Sequence, residues 1–148
     1  MIIYIDTSAL VKRFIEEPGT NEVNQLISLA DIVGSSLLTQ VEMLSAIGKA
    51  SRMRWIDNAA AEVAMQDFLT QWEFFTRLYI TPALIVRSAR LAWELGLRGY
   101  DATHLATALH WQETLETDVI LATYDKELWT AALKSGLKIW PDNLIAQF

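Results

Sequence analysis

The chain has 148 residues, of which 52% are hydrophobic and 20% charged; this is enough apolar material for one folded domain and excludes a disordered or low-complexity chain. It has no cysteine and two histidines, which excludes a disulfide scaffold, thiolate zinc sites and a cysteine nucleophile, so we expect any metal to be held by oxygen, as Mg²⁺ or Mn²⁺ prefers. The net charge of −6 argues against a non-specific nucleic-acid binder.

Short β-rich runs alternate with longer helical patterns along the chain. In order, the first half is predicted as a strand at 2–5, helices at 8–16 and 21–30, a strand at 32–37, and helices at 39–53 and 58–75. The second half is predicted as a strand at 78–80, helices at 81–96 and 101–114, a strand at 119–122, a helix at 125–135 and a strand at 138–140. This alternation predicts a single α/β domain over residues 1–148, a three-layer α/β/α arrangement around a mostly parallel sheet of four to five strands.

The N-terminus lacks the basic start and long apolar region of a signal peptide. No apolar run approaches the roughly 20 residues that a membrane span needs. We therefore expect a cytoplasmic protein that makes no contact with a membrane.

Four carboxylates lie where predicted strands end or helices begin. Asp6 follows the first strand directly, Glu42 lies in the first turn of the helix after the second strand, and Asp125 follows the fourth strand by three residues. Because ligands of open α/β sheets bind beyond the carboxyl ends of the strands, we expect these three side chains at that edge. Asp101 joins them if its helix begins toward the same crevice.

Each of these acids also has a purely structural interpretation. Asp6, Asp101 and Asp125 are typical helix N-caps. Glu42 completes a capping-box pattern with Thr39, whose backbone N–H it would then bind. If the acids instead share one site, their mutual repulsion requires a counter-cation, and a divalent metal would leave positions open for phosphate oxygens.

Hydroxyl and basic side chains accompany the acids. The hydroxyl residues are Thr7, Ser8 and Thr123. They are either ordinary residues at the start of helices or residues that orient the metal-binding carboxylates by hydrogen bonds. The basic residues near the acids have two interpretations: they form a rim that binds the phosphates of a phosphodiester substrate, or they are solvated residues on helix surfaces. These residues are Lys12, Arg13, Lys49, Arg52, Arg98 and Lys126. His104, one turn after Asp101, is predicted to be a packed helix histidine.

Four segments, taken together and in order, resemble the motifs of the PIN-domain family. They are residues 3–12 with Asp6, residues 38–46 with Glu42, residues 100–108 with Asp101 and His104, and residues 121–128 with Asp125. The chain length and single-domain build resemble the VapC-type toxins of toxin–antitoxin pairs. Asp125 stands at the most variable of the four positions.

The resemblance implies an Mg²⁺- or Mn²⁺-dependent ribonuclease whose site is formed by the four acids. In that interpretation Asp6, Asp101 and Asp125 hold the metal, and Glu42 completes the site and positions the attacking water. The resemblance also implies a homodimer and an antitoxin that blocks the site. The alternative is a non-catalytic RNA- or protein-interaction module with a relic acidic site. A phosphatase or receiver built on an aspartyl phosphate does not fit, because Ile5 and Ser8 stand where those proteins need further acids.

Overall fold

The computed structural model describes residues 1–144, so the last four residues of the predicted domain, 145–148, lie outside the described part. Its strands are β1 (Ile2–Ile5), β2 (Ile32–Ser36), β3 (Thr76–Leu78), β4 (Val119–Ala122) and β5 (Lys138–Trp140). Its helices are α1 (Thr7–Phe14), α2 (Thr20–Leu29), α3 (Leu38–Arg52), α4 (Asn58–Trp72), α5 (Pro82–Leu95), α6 (Gly99–Leu115) and α7 (Lys126–Lys134).

The five strands form one sheet in the order β3-β2-β1-β4-β5, and every neighbouring pair is parallel. The carboxyl ends of all five strands therefore lie at the same edge. The central strand β1 is covered on both faces: Tyr4 packs into a core with Leu105 and Leu121, whereas Ile3 and Ile5 pack into a second core. This arrangement confirms the predicted three-layer α/β/α fold.

Several predicted boundaries are wrong by two or three residues; for example, the helix expected at 58–75 ends at Trp72. The third strand was expected at 78–80 but lies at Thr76–Leu78, because Gly34 of β2 pairs with Thr76. The hydroxyl of Thr81 accepts a hydrogen bond from the Leu84 backbone N–H and caps α5, so the two residues after Leu78 form the connection. The helix expected at 101–114 begins two residues earlier, at Gly99. None of the helices in the described range is long and apolar enough to cross a membrane.

Candidate active site at the carboxyl edge of the sheet

Asp6 leaves the central strand and begins α1. Its Oδ1 accepts hydrogen bonds from the Ala9 backbone N–H at 3.0 Å and from the Ser8 hydroxyl at 2.8 Å. Its Oδ2 accepts from the Thr123 hydroxyl at 2.7 Å. The cap interpretation of Asp6 is therefore confirmed, and the same carboxylate also binds the segment that follows β4. Burial raises the pKa of Asp6 to about 6, although the charge of His104 and these hydrogen bonds oppose the increase.

Glu42 does not form the capping box that the sequence allowed. Helix α3 begins at Leu38, two residues too early for Thr39 to be the cap, and its N-cap residue makes no side-chain hydrogen bond. Instead, Glu42 Oε1 accepts a hydrogen bond from the Thr7 hydroxyl at 3.0 Å and lies 2.6 Å from Nε2 of His104. Both contacts fall on Oε1, so Oε2 is the oxygen that remains for a ligand.

His104 links this glutamate to the sheet. Its ring is 2% exposed, which confirms the prediction of a packed helix histidine. Nδ1 lies 2.7 Å from the hydroxyl of Tyr4, which donates its proton in the tautomer where Nε2–H donates to Glu42. Burial lowers the pKa of His104, but the hydrogen bond to Glu42 and the nearby carboxylates outweigh burial and raise it above the ordinary value. The sequence contains no local signal for this link, because Tyr4 and Glu42 are both distant along the chain.

Asp101 and Asp125 are joined by an arginine. Arg98 Nε donates to Asp101 Oδ2 at 2.9 Å, and a terminal nitrogen of Arg98 donates to Asp125 Oδ2 at 2.8 Å. The N-cap of α6 is Arg98, so the cap interpretation is wrong for Asp101. It is confirmed for Asp125, whose Oδ1 accepts from the Leu128 backbone N–H. Burial and then the charge of Asp125 raise the pKa of Asp101.

The four acids are connected through neighbouring side chains. Thr123 donates its hydroxyl proton to Asp6 and accepts the backbone N–H of Asp125, which ties those two acids together. His104 bonds Glu42, and its positive form interacts electrostatically with Asp6 and Asp101. The three hydroxyl residues that the sequence suggested all donate hydrogen bonds to the acids: Thr7 donates to Glu42, and Ser8 and Thr123 donate to Asp6.

The arrangement suits a hard cation chemically, but it is not a closed metal cage. Every candidate donor is a carboxylate oxygen, as Mg²⁺ and Mn²⁺ prefer, and burial is the main cause that raises the pKa of both Asp6 and Asp101. Across residues 1–144, however, no three acidic or histidine side chains form a group that could hold a metal ion. Convergence of all four acids on one metal therefore stays a prediction.

Lys12 and Arg13, two of the six predicted rim residues, contact protein groups other than the four acids. Lys12 forms an ion pair with Glu17 at 3.0 Å. Arg13 donates hydrogen bonds to Asn24 and Gln71. A cavity of about 610 Å³ adjoins Lys12, but its lining does not include the four acids.

The other rim residues lie on three helices. Lys49 and Arg52 occupy the last turn of α3, where the ammonium of Lys49 lies 5.9 Å from the ring centre of Trp55. Lys126 opens α7, directly after Asp125, and Arg98 lies between the two aspartates as described. Among these residues, Arg98 bonds two of the acids directly, and Lys126 is the neighbour of Asp125 in the chain.

The chain is similar in sequence to known proteins. The sequence model of the family described as "PIN domain" matches residues 3–133. The chain is 29% identical over 143 residues to the ribonuclease VapC45 of Mycobacterium tuberculosis (strain CDC 1551 / Oshkosh), covering 97% of each chain.

Solved structures share the fold. The chain superimposes on PAE2754 from Pyrobaculum aerophilum with a TM-score of 0.66 and 24% identity, covering 99% of this chain and 88% of that one. It superimposes on VapBC-5 from Mycobacterium tuberculosis, a member of the VapBC family of toxin–antitoxin systems, with a TM-score of 0.59 and 18% identity, covering 94% of this chain and 96% of that one.

Proposed function

Because the chain belongs to the PIN-domain family, we propose that it is a ribonuclease that depends on Mg²⁺ or Mn²⁺ and acts as the toxin of a toxin–antitoxin pair. The observation that carries the proposal is the set of four acids at the carboxyl edge of the sheet, connected through Thr123, His104 and Arg98. The similarity over nearly full length to a protein named as a ribonuclease supports the reaction class.

The residues that would hold the metal are Asp6, Asp101 and Asp125, with Glu42 completing the site. When bound, a divalent ion supplies charge stabilisation for the phosphodiester and lowers the pKa of a coordinated water. The chain itself supplies orientation. Ser8 and Thr123 hold the carboxylate of Asp6 by hydrogen bonds to both of its oxygens.

Glu42 is the residue best placed to direct the attacking water. Thr7 and His104 both bind Oε1, which restrains the carboxylate and leaves Oε2 to accept the proton of the water. The reaction then leaves a 5′-phosphate and has no need of the 2′-hydroxyl. Basic side chains of the rim, such as Lys126, which follows Asp125 directly in the chain, hold the flanking phosphates.

The proposed partners are an antitoxin and a second copy of this chain. Among the solved structures with this fold, VapBC-5 is described as part of a toxin–antitoxin system, which supports the antitoxin. Large aromatic side chains lie on the surface: Trp93 is 89% exposed and Phe74 is 87% exposed. Trp72, Trp111 and Trp129 are buried instead, so the exposed aromatic residues are the candidates for contacts between chains.

The decisive experiment measures RNA cleavage by the full chain with Mn²⁺, with EDTA, and after Asp101→Asn. We expect cleavage that stops in EDTA, products with 5′-phosphate ends, and a loss of at least about 100-fold in Asp101→Asn, in the range found when one electrostatic catalytic group is removed. The matched control is Asp118→Asn, because Asp118 precedes β4 and lies at the opposite edge of the sheet.

The outcomes separate the two functions that the sequence left open. Cleavage that survives EDTA, or that is equal in Asp101→Asn and the wild type, contradicts the proposed metal site. RNA binding without cleavage under any metal condition favours the non-catalytic interaction module. Light scattering of the wild type over micromolar concentrations tests the homodimer, which a constant monomer mass would contradict.

A further inference from the structure

The guanidinium of Arg98 occupies a position between two candidate metal ligands. Its Nε bonds Asp101 Oδ2 and a terminal nitrogen bonds Asp125 Oδ2, so one side chain joins the first turn of α6 to the N-cap of α7. The positive charge also lies over the ring of Tyr100, 4.9 Å from its centre. These contacts bind Arg98 to the acidic site itself, whereas its place in the sequence indicated only a rim position.

The two aspartates need a positive charge between them. Asp101 is 3% exposed, and Arg98 is hydrogen-bonded to Oδ2 of both Asp101 and Asp125, so removing the guanidinium would leave a buried carboxylate beside a second carboxylate with no positive partner. Arg98 therefore acts as a counter-ion in the metal-free protein.

A divalent cation would use the same two oxygens. We propose that Arg98 competes with the catalytic divalent cation for Asp101 and Asp125, an inference that rests on the proposed function. In the structure, where Arg98 is bonded to both aspartates, no three acidic or histidine side chains of residues 1–144 form a group that could hold a metal ion. With Arg98 bonded, Oδ2 of each aspartate faces a guanidinium, and the site closes around a metal only when Arg98 releases them.

The side chain of Arg98 is suited to such a release. It is 54% exposed, so its charge becomes hydrated when it leaves the carboxylates. The planar fork donates through two different nitrogens, one to each aspartate. A lysine would keep the charge but lose this bridging geometry.

The test is a titration of the full-length protein with Mn²⁺, followed by the electron paramagnetic resonance signal of the free ion. We expect Arg98→Gln to bind Mn²⁺ roughly tenfold more tightly than the wild type, because it removes both the competing bonds and a positive charge close to the metal. Arg98→Lys should fall between the two. Lys138→Gln is the matched control, since it removes the same charge from an exposed ion pair with Asp118 at the opposite edge of the sheet, and its affinity should stay at the wild-type value.

A second readout is thermal melting with EDTA and with Mn²⁺. Arg98→Gln should melt at a lower temperature than the wild type in EDTA, and should gain more from Mn²⁺. Equal affinity in Arg98→Gln and the wild type overturns the competition, and weaker binding in Arg98→Gln shows instead that Arg98 organises the aspartates for the metal. If neither the wild type nor any variant binds Mn²⁺, the proposed metal-dependent function is overturned as well. This outcome differs from equal Mn²⁺ affinities, which overturn only the competition by Arg98.

Discussion

Replacement of Asp6 by asparagine should stabilise the metal-free protein at neutral pH. Asp6 has a pKa of about 6 in the folded chain, against roughly 3.9 in an unfolded one. Two pKa units correspond to about 3 kcal/mol of unfavourable burial of the ionised carboxylate at pH 7.5. Asparagine removes that cost and keeps an oxygen for the Ala9 N–H, so we expect a gain of about 2 kcal/mol, or about 4–8 °C in melting temperature for a chain of this size.

The sign of the pH dependence follows from the raised pKa. Between pH 4 and 6 the folded state holds the Asp6 proton more tightly than the unfolded state, so the wild type loses stability as the pH rises through this window. The advantage of Asp6→Asn should therefore be small at pH 4, grow up to about pH 6 and stay constant above it. Saturating Mn²⁺ should reduce this advantage at pH 7.5, because an ion present at 100 times its Kd adds about 2.7 kcal/mol to the wild type and less to the variant.

The assay is urea or thermal unfolding in EDTA and in Mn²⁺ across pH 4–8. Asp57→Asn is the matched control, because Asp57 caps α4 through the same type of bond to the Ala60 backbone N–H but is exposed. We expect this control to change stability by less than about 0.5 kcal/mol at every pH, since Asn caps a helix about as well as Asp. A variant Asp6→Asn that is less stable than the wild type in EDTA at pH 7.5 would refute the burial argument.

Two further predictions concern packing and orientation. His104→Leu removes a donor from Glu42, so we expect it to lower the free energy of unfolding by about 1–3 kcal/mol and to slow RNA cleavage. His104→Gln can still donate to Glu42 and should recover much of the cleavage rate. Equal cleavage rates in His104→Leu and the wild type would show that His104 does not orient Glu42. Gly34→Ala should destabilise by about 1–3 kcal/mol in urea unfolding, because the added Cβ would lie 2.5 Å from the ring of Trp111. Gly48→Ala should stabilise the fold by about 0.5–1 kcal/mol, because Gly48 lies in the interior of α3 and the added Cβ would contact only the flexible end of Arg52. A loss of stability in Gly48→Ala would contradict the expected contrast with Gly34→Ala.

The strands of the sheet and the positions of the acids were predictable from the sequence. Strands β1, β4 and β5 lie within the predicted bounds, because a buried parallel strand is a short apolar run with no competing helical period. Since parallel strands end at one edge of a sheet, the placement of Asp6 and Asp125 after β1 and β4 already put both at that edge.

The roles of the side chains at that edge depended on tertiary structure. Local patterns allowed Glu42 to bind Thr39 and Asp101 to cap its helix, but the packing of α6 against the sheet brings His104 to Glu42 and makes Arg98 the N-cap residue. The partners of these groups are tens of residues away along the chain, and a hydrogen bond to such a partner leaves no periodic pattern in the sequence. The sequence by itself therefore determined that Asp6 and Asp125 lie at one edge of the sheet, and only the folded chain decided which cation, hydroxyl or imidazole each acid meets.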